Sequence, residues 1–131
     1  MGYASNLNYV PDTPQFHFEK CDLFNEDQVG YIFTRFKPRV VFHFAAESHV
    51  DNSIRDCKPF VESNVIGTIN LLNASRLIDI EKFHHISTDE VFGSISSGSF
   101  TEESIYDPKN PYSASWDRDW ETSQCQSNDW H

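Results

Sequence analysis

From Phe16 to Cys21 the chain reads Phe-His-Phe-Glu-Lys-Cys, an alternation of apolar and polar positions that predicts a half-buried strand ended by Asp22. Asn25 then stands as a helix N-cap, with Glu26 and Asp27 in the first turn, where the helix dipole favours anions. Val29, Ile32, Phe33 and Phe36 follow at helical spacing, and Pro38 stops the helix. The run from Arg39 to Ala46, Val-Val-Phe-His-Phe-Ala-Ala after the arginine, is nearly all apolar and predicts a strand covered on both faces. Between Pro59 and Ile78 the positions Phe60, Val61, Asn64, Val65, Thr68, Leu71, Leu72 and Ser75 recur three and four apart, which predicts one long helix packed against a sheet. Lys82 to Ser87 reads as a further short strand. Strand, helix, strand, helix, strand is the order of a doubly wound α/β domain with a parallel sheet.

Composition narrows what such a domain could do. A length of 131 residues allows one hydrophobic core. Ten Lys and Arg against twenty Asp and Glu give a net charge of −10, a field that repels phosphate backbones and anionic lipid, so neither nucleic acid nor membrane is expected as a partner. An aromatic content of 15% argues that at least part of the chain folds. Cys21, Cys57 and Cys125 form no C-x-x-C pair and cannot all be paired, which excludes a four-cysteine zinc site and fits a reducing, cytoplasmic setting. The longest apolar stretch is too short for a membrane helix, and no targeting signal is visible at the N-terminus. After Ser115 the composition changes: beyond Trp116 there is no Ala, Val, Ile, Leu, Met, Phe or Pro, and all three Trp lie at 116, 120 and 130. Residues 116–131 are accordingly expected to be a disordered tail, with 1–115 as the folded part.

In doubly wound sheets ligands bind beyond the carboxyl ends of the strands, so the residues that follow each strand are the first candidates. These are Asp22-Leu23, then Ala45-Ala46-Glu47-Ser48-His49-Val50-Asp51, then Ser87-Thr88-Asp89-Glu90-Val91-Phe92-Gly93, with Pro111-Tyr112-Ser113-Ala114-Ser115 opening a further helix. Small side chains at Ala45 and Ala46 let a flat ligand approach the backbone, and Asp22 can accept from an exocyclic amine. Thr88-Asp89-Glu90 sets a hydroxyl beside two adjacent carboxyls at the end of a buried strand. Desolvation and mutual repulsion there would separate the two proton affinities and supply one acid and one base. Such a pair suits removal of a proton beside a carbonyl with loss of a hydroxyl. The bland alternative is a solvated turn. Neighbouring positions on a strand face opposite ways, so His84 and His85 cannot share a ligand, and the six histidines read as core or surface residues rather than metal ligands.

Taken together, Phe-Ala-Ala-Glu-Ser-His-Val-Asp (44–51), Ser-Asn-Val-Ile-Gly-Thr (63–68), His-His-Ile-Ser-Thr-Asp-Glu-Val-Phe-Gly (84–93) and Pro-Tyr-Ser-Ala-Ser (111–115) resemble the dTDP-glucose 4,6-dehydratases. These belong to the extended short-chain dehydrogenase/reductases, and the likeness runs colinearly from Tyr3 to Ser115. It implies a Rossmann-type fold, an NAD cofactor and a hydro-lyase reaction on dTDP-glucose, with homodimerisation the habit of the whole enzyme. Hydride would pass from sugar C4 to bound NAD, water would be lost across C5 and C6, and the hydride would return at C6. By the same resemblance Tyr112 is the base at the C4 hydroxyl, Asp89 protonates the departing C6 hydroxyl and Glu90 takes the C5 proton. Thr88 and Ser48 would contact the sugar. Asp22 and Leu23 would flank the adenine, while Phe44, Ala45, Ala46, Glu47, Ser48, Ser63 and Tyr112 would line the cofactor. Sister epimerases keep the tyrosine but lack the Asp-Glu pair.

The departures from that pattern are as informative. Glycines stand at 2, 30, 67, 93 and 98, so neither G-x-G-x-x-G nor G-x-x-G-x-x-G occurs, and the phosphate-cradling turn is missing. Trp116 stands where the family pattern Tyr-x-x-x-Lys has its lysine. The expectation is therefore a partial Rossmann-type doubly wound sheet lacking its first βα unit, the central part of a dehydratase followed by an unrelated tail, as a truncated or frameshifted coding sequence would give. Such a chain is expected to be inactive by itself. The rival readings are another nucleotide-sugar epimerase or dehydratase, and a non-catalytic interaction module.

Overall fold

The computed structural model describes residues 7–10, 13–101 and 103–116. Helix α1 (Glu26–Phe36) begins where its cap chemistry says it should: the Asn25 side chain accepts from the Gln28 N–H at 3.1 Å, and Glu26 and Asp27 occupy the first turn. It ends at Lys37, whose left-handed φ of 46° lets its N–H close on the Phe33 carbonyl, and Pro38 prevents any continuation. Strand β1 (Val40–His43) follows, then two short helices, α2 (Val50–Arg55) and α3 (Lys58–Phe60). A π-helical segment (Val61–Ile66) leads into α4 (Gly67–Leu77), and strand β2 (Lys82–His85) pairs with β1 in parallel, Val40 opposite Lys82 and His43 opposite His85. A 3₁₀ turn (Asp89–Phe92) and helix α5 (111–116) complete the described chain.

Two clusters hold these elements together. Val29 and Phe33 of α1 pack on Leu71 and Ala74 of α4, with Cys21, Leu23, Val41, Ile78 and Phe83 around them, so α1 and α4 cover one face of the sheet. The second cluster joins Phe60, Val91, Tyr112 and Trp116, flanked by Ala46, Val50 and Phe92. This cluster lies beyond the strand ends, and four separate stretches of sequence meet in it.

Four expectations are corrected. Residues 16–21 are extended but pair with no strand among the described residues: alternation sets a side-chain pattern, while a ladder needs a second strand alongside. The strand expected to be covered on both faces is covered on one: Val41 and His43 face the helices, whereas Phe42 is 61% exposed and Phe44 69%. The single long helix expected over 59–78 is broken by the π-helical turn at 61–66. Trp116, the first residue of the expected tail, is helical and only 6% exposed; residues 117–131 lie outside the described residues. Among the described residues no helix is long and apolar enough to cross a membrane.

Candidate active site

The loop 44–48 leaves the carboxyl end of β1, and a single side chain fixes its course. Asn64, 1% exposed, accepts from the Glu47 N–H at 2.8 Å and donates to the Glu47 carbonyl at 3.2 Å, closing the loop onto the π-helical turn. Ala46 is drawn into the second cluster, while Phe44, Ala45 and Ser48 stay exposed beside it. Ser63, half-buried, precedes Asn64 in the same turn.

The Thr88-Asp89-Glu90 triplet leaves β2 in the same direction. Thr88 caps the 3₁₀ turn, its Oγ1 accepting from the Glu90 N–H at 3.4 Å, and Val91 anchors the turn in the cluster. Both carboxylates are exposed, so the described residues supply none of the burial expected at the end of a strand. The turn is tied to the segment before α5 twice: the Val91 carbonyl accepts from the Asp107 N–H at 2.9 Å, and Glu90 Oε2 accepts from Asn110 Nδ2 at 3.3 Å. Gly93 makes this approach possible, since it has a φ of 80° and a Cβ there would run into the Asp107 carbonyl.

Tyr112 opens α5. Its ring is edge-on to Phe60, with centroids 6.4 Å apart, and edge-on to Trp116 at 6.2 Å; its N–H meets Ser53 Oγ at 3.3 Å. Trp116 lies against His85, ring centroids 5.3 Å apart. The structure therefore brings Ala46, Val91 and Tyr112 onto one packed joint, with Thr88, Asp89 and Glu90 on the turn that Val91 anchors.

Asp22 and Leu23 are not part of that joint. Leu23 packs on the α1/α4 cluster, and its carbonyl accepts from Asn70 Nδ2 at 2.8 Å. It passes so close to the start of α4 that a Cβ on Gly67 would stand 3.0 Å from the Leu23 Cβ. Asp22 is exposed, and its Oδ1 accepts from the Phe24 N–H at 3.1 Å. The candidate cofactor residues thus form two groups, Asp22-Leu23 and loop 44–48 with Ser63, held by different clusters, as an elongated ligand would require.

Two buried polar residues beside the candidate site are poorly marked in the sequence. Asn64 registers there only as one more position on a helix face; the signal that could have found it is the polar series Asn64, Thr68 and Ser75 on a face otherwise apolar. His43 interrupts an apolar run and is buried beside His85. Thr68 Oγ1 donates to the Asn64 carbonyl at 2.5 Å and so accepts from His43 Nε2 at 2.9 Å, which assigns the histidine proton to Nε2.

Comparison with known proteins places this arrangement. The family model for GDP-mannose 4,6 dehydratase matches residues 2–122, continuing past Ser115 through Trp116 and Trp120. The dTDP-glucose 4,6-dehydratase of Haemophilus influenzae is 44% identical over 127 residues, covering 86% of this chain and 38% of the relative. The crystal structure of DesIV, a dTDP-glucose 4,6-dehydratase of Streptomyces venezuelae with NAD and TYD bound, superposes with a TM-score of 0.91 at 36% identity, over 97% of this chain and 39% of that one. A UDP-glucose 4-epimerase of Thermus thermophilus in complex with NAD gives 0.82 at 30% identity, over 90% of this chain and 39% of that one. The chain spans little more than a third of the length of these relatives, and its fold is their Rossmann-type α/β fold. With the family model matched over almost its whole length, the chain belongs to the GDP-mannose 4,6 dehydratase family.

Proposed function

We propose that residues 7–116 are the central part of an NAD-dependent dTDP-glucose 4,6-dehydratase, in which Tyr112, Thr88, Asp89 and Glu90 act on the sugar. The observation that carries this reading is the double tie of the Thr88-Asp89-Glu90 turn to the Tyr112 segment, through Val91 to Asp107 and Glu90 to Asn110. Two carboxyls and a tyrosine at one joint form a set suited to oxidation at one carbon and elimination at its neighbours.

The residues fit the two ends of a dinucleotide better than its middle. Asp22 and Leu23 would take one ring system, and Phe44 to Ser48 with Ser63 the other. The pyrophosphate has no cradle among the described residues, since the well-capped N-terminus of α1 carries Glu26 and Asp27 where phosphate would need exposed N–H groups and no negative charge. NAD, when bound, supplies the hydride acceptor and donor. The chain's own groups do the rest. Tyr112 takes the proton from the sugar C4 hydroxyl. Thr88 accepts from the Glu90 N–H, which leaves its own O–H free to donate to the sugar. Glu90, with Oε2 occupied by Asn110, takes the C5 proton on its other oxygen, and Asp89 gives a proton to the C6 hydroxyl as it leaves as water.

An epimerase needs no acid to expel a hydroxyl, so the adjacent Asp89 and Glu90 favour the dehydratase over that relative. The open face of β1 supports a reading of a different class, an interaction module. A graft separates them. Residues 7–115 placed in the Streptomyces venezuelae dehydratase, in exchange for the matching stretch, should convert dTDP-glucose to its 4-keto-6-deoxy product. A folded, NAD-loaded graft that makes none would count against the reading.

A further inference from the structure

We propose that Asn110 is a positioning residue for the base of the elimination: it holds one oxygen of the Glu90 carboxylate and leaves the other to meet the substrate. Asn110 stands immediately before α5, in the N-cap place, and the start of that helix fixes it from several sides. Its Oδ1 accepts from the Ser113 N–H at 2.8 Å and its own N–H donates to Ser113 Oγ at 3.3 Å, a reciprocal pair of the capping-box kind. Its carbonyl accepts from Ser113 Oγ at 3.1 Å and from the Ala114 N–H at 3.0 Å. Ser113 is fully buried, and Pro111 presets the backbone of the first turn.

These bonds decide which way the amide points. A backbone N–H can only donate, so the atom facing Ser113 must be Oδ1 and the amide cannot be turned over. Nδ2 then faces away from the helix, and it donates to Glu90 Oε2 at 3.3 Å. Among the described residues no other hydrogen bond or ion pair reaches the Glu90 carboxylate. Glu90 is exposed, so packing does not fix its side chain either, and this one donor selects its orientation. The residue type matters. Ser and Asp cap a helix about as well as Asn, but Ser has one polar atom, which the cap uses, and Asp offers a second oxygen where Glu90 needs a donor. Asn has one atom for the cap and a donor left for a carboxylate. The cap of the Tyr112 helix thus doubles as the holder of Glu90.

The inference rests on the dehydratase reading for what Glu90 does, while the contact itself belongs to the chain as it stands. There, Glu90→Ala should move the side-chain amide protons of Asn110 upfield, toward the position of a free amide, and leave the Ser113 amide proton in place. Unmoved Asn110 side-chain protons would overturn the proposal. For the role, Asn110→Ser and Asn110→Asp are made in the graft described above; both keep the cap, so the helix should form. Single-turnover mixing with dTDP-glucose then follows NADH absorbance, which rises with oxidation at sugar C4 and falls as hydride returns after the elimination. The rise should keep its rate. The fall should slow about tenfold in Asn110→Ser, the effect of losing one hydrogen bond to a charged group. It should slow at least as much in Asn110→Asp, where a second carboxylate faces Glu90. Rise and fall slowed alike would mean that Asn110 only supports the Tyr112 helix, and an unchanged fall would mean that Glu90 needs no holder; either overturns the proposal. A graft that makes no product before any substitution counts against the dehydratase reading alone. The Asn110 proton shifts then decide the inference: unmoved, it falls; moved, the carboxylate is held as stated.

Discussion

His43 and His85 stand opposite each other across the parallel β1–β2 pair, ring centroids 5.0 Å apart, and neither ring makes an ion pair among the described residues. Burial, with a smaller contribution from His85, pushes the His43 pKa down from 6.5 to about 4; burial also lowers that of His85. The groups packed around the pair are Phe83, Thr68 and Trp116, none of which offers a compensating negative charge.

The folded state therefore holds His43 neutral, while the unfolded chain takes up a proton near pH 6.5. Its contribution to stability is complete above pH 6.5 and is lost as the pH falls toward 4, by roughly 3 kcal/mol in all. Urea unfolding at pH 7.5 and at pH 4.5 should show a clear fall in midpoint on acidification. His43→Gln should flatten that dependence; a wild-type midpoint that does not move between the two pH values would rule out a neutral buried His43.

Trp116 fills the space between Tyr112 and His85, with its indole nitrogen buried and, among the described residues, without a hydrogen-bond partner. Trp116→Ala should cost about 3 to 5 kcal/mol, the usual cost of emptying a site of that size. Trp116→Lys, which brings in the residue of the family pattern, should also destabilise the chain, because the ammonium would replace packed apolar surface. Denaturant titration of the two variants measures both effects. Wild-type stability in Trp116→Lys would mean that residue 116 is not part of the core.

Gly93→Ala forces a side chain into the left-handed region and against the Asp107 carbonyl. The expected cost is about 1 to 3 kcal/mol, with early loss of the Val91 to Asp107 hydrogen bond. Exchange at the Asp107 amide should rise more than exchange in α4. Uniform loosening of the whole chain would show that the turn and the Tyr112 segment are not linked as described.

Phe42 of β1 and Phe44 just beyond it are exposed, and among the described residues β1 pairs only with β2. An open edge beside exposed aromatics favours association, so light scattering should grow with concentration. Phe42→Lys should suppress it with little change in the unfolding midpoint. Unchanged association would move the sticky surface elsewhere.

Much of this was legible in the sequence because its causes are local. Asn25, the two acids after it, and Pro38 fix α1 by hydrogen bonds and ring geometry within the helix itself, and α1 forms where they place it. The meeting of Thr88-Asp89-Glu90 with Tyr112 was only implied, through resemblance, since the Glu90 to Asn110 contact spans twenty residues of chain. The π-helical turn could not be read at all: a spacing of three and four is satisfied before and after it, and one extra residue changes the phase without breaking the pattern. The strand at 16–21 was read from alternation that is present, but a ladder is a property of two strands, and the second is not among the described residues.

Affinity for NAD follows from the same partition. Residues proposed to contact the rings, without a phosphate cradle and on a chain of net charge −10, should give binding no tighter than about millimolar by calorimetry. Micromolar binding would mean that the described residues already hold the pyrophosphate.

In the proposed reaction Asp89 and Glu90 are the acid and base of an elimination that follows oxidation by way of Tyr112. The most direct measurement is NADH absorbance in the graft carrying Asp89→Asn and Glu90→Gln, mixed with dTDP-glucose. The expected result is that hydride still passes to the cofactor and NADH accumulates, while the 4-keto-6-deoxy product falls by at least about 10²-fold. Product formation at the rate of the unsubstituted graft would contradict the claim.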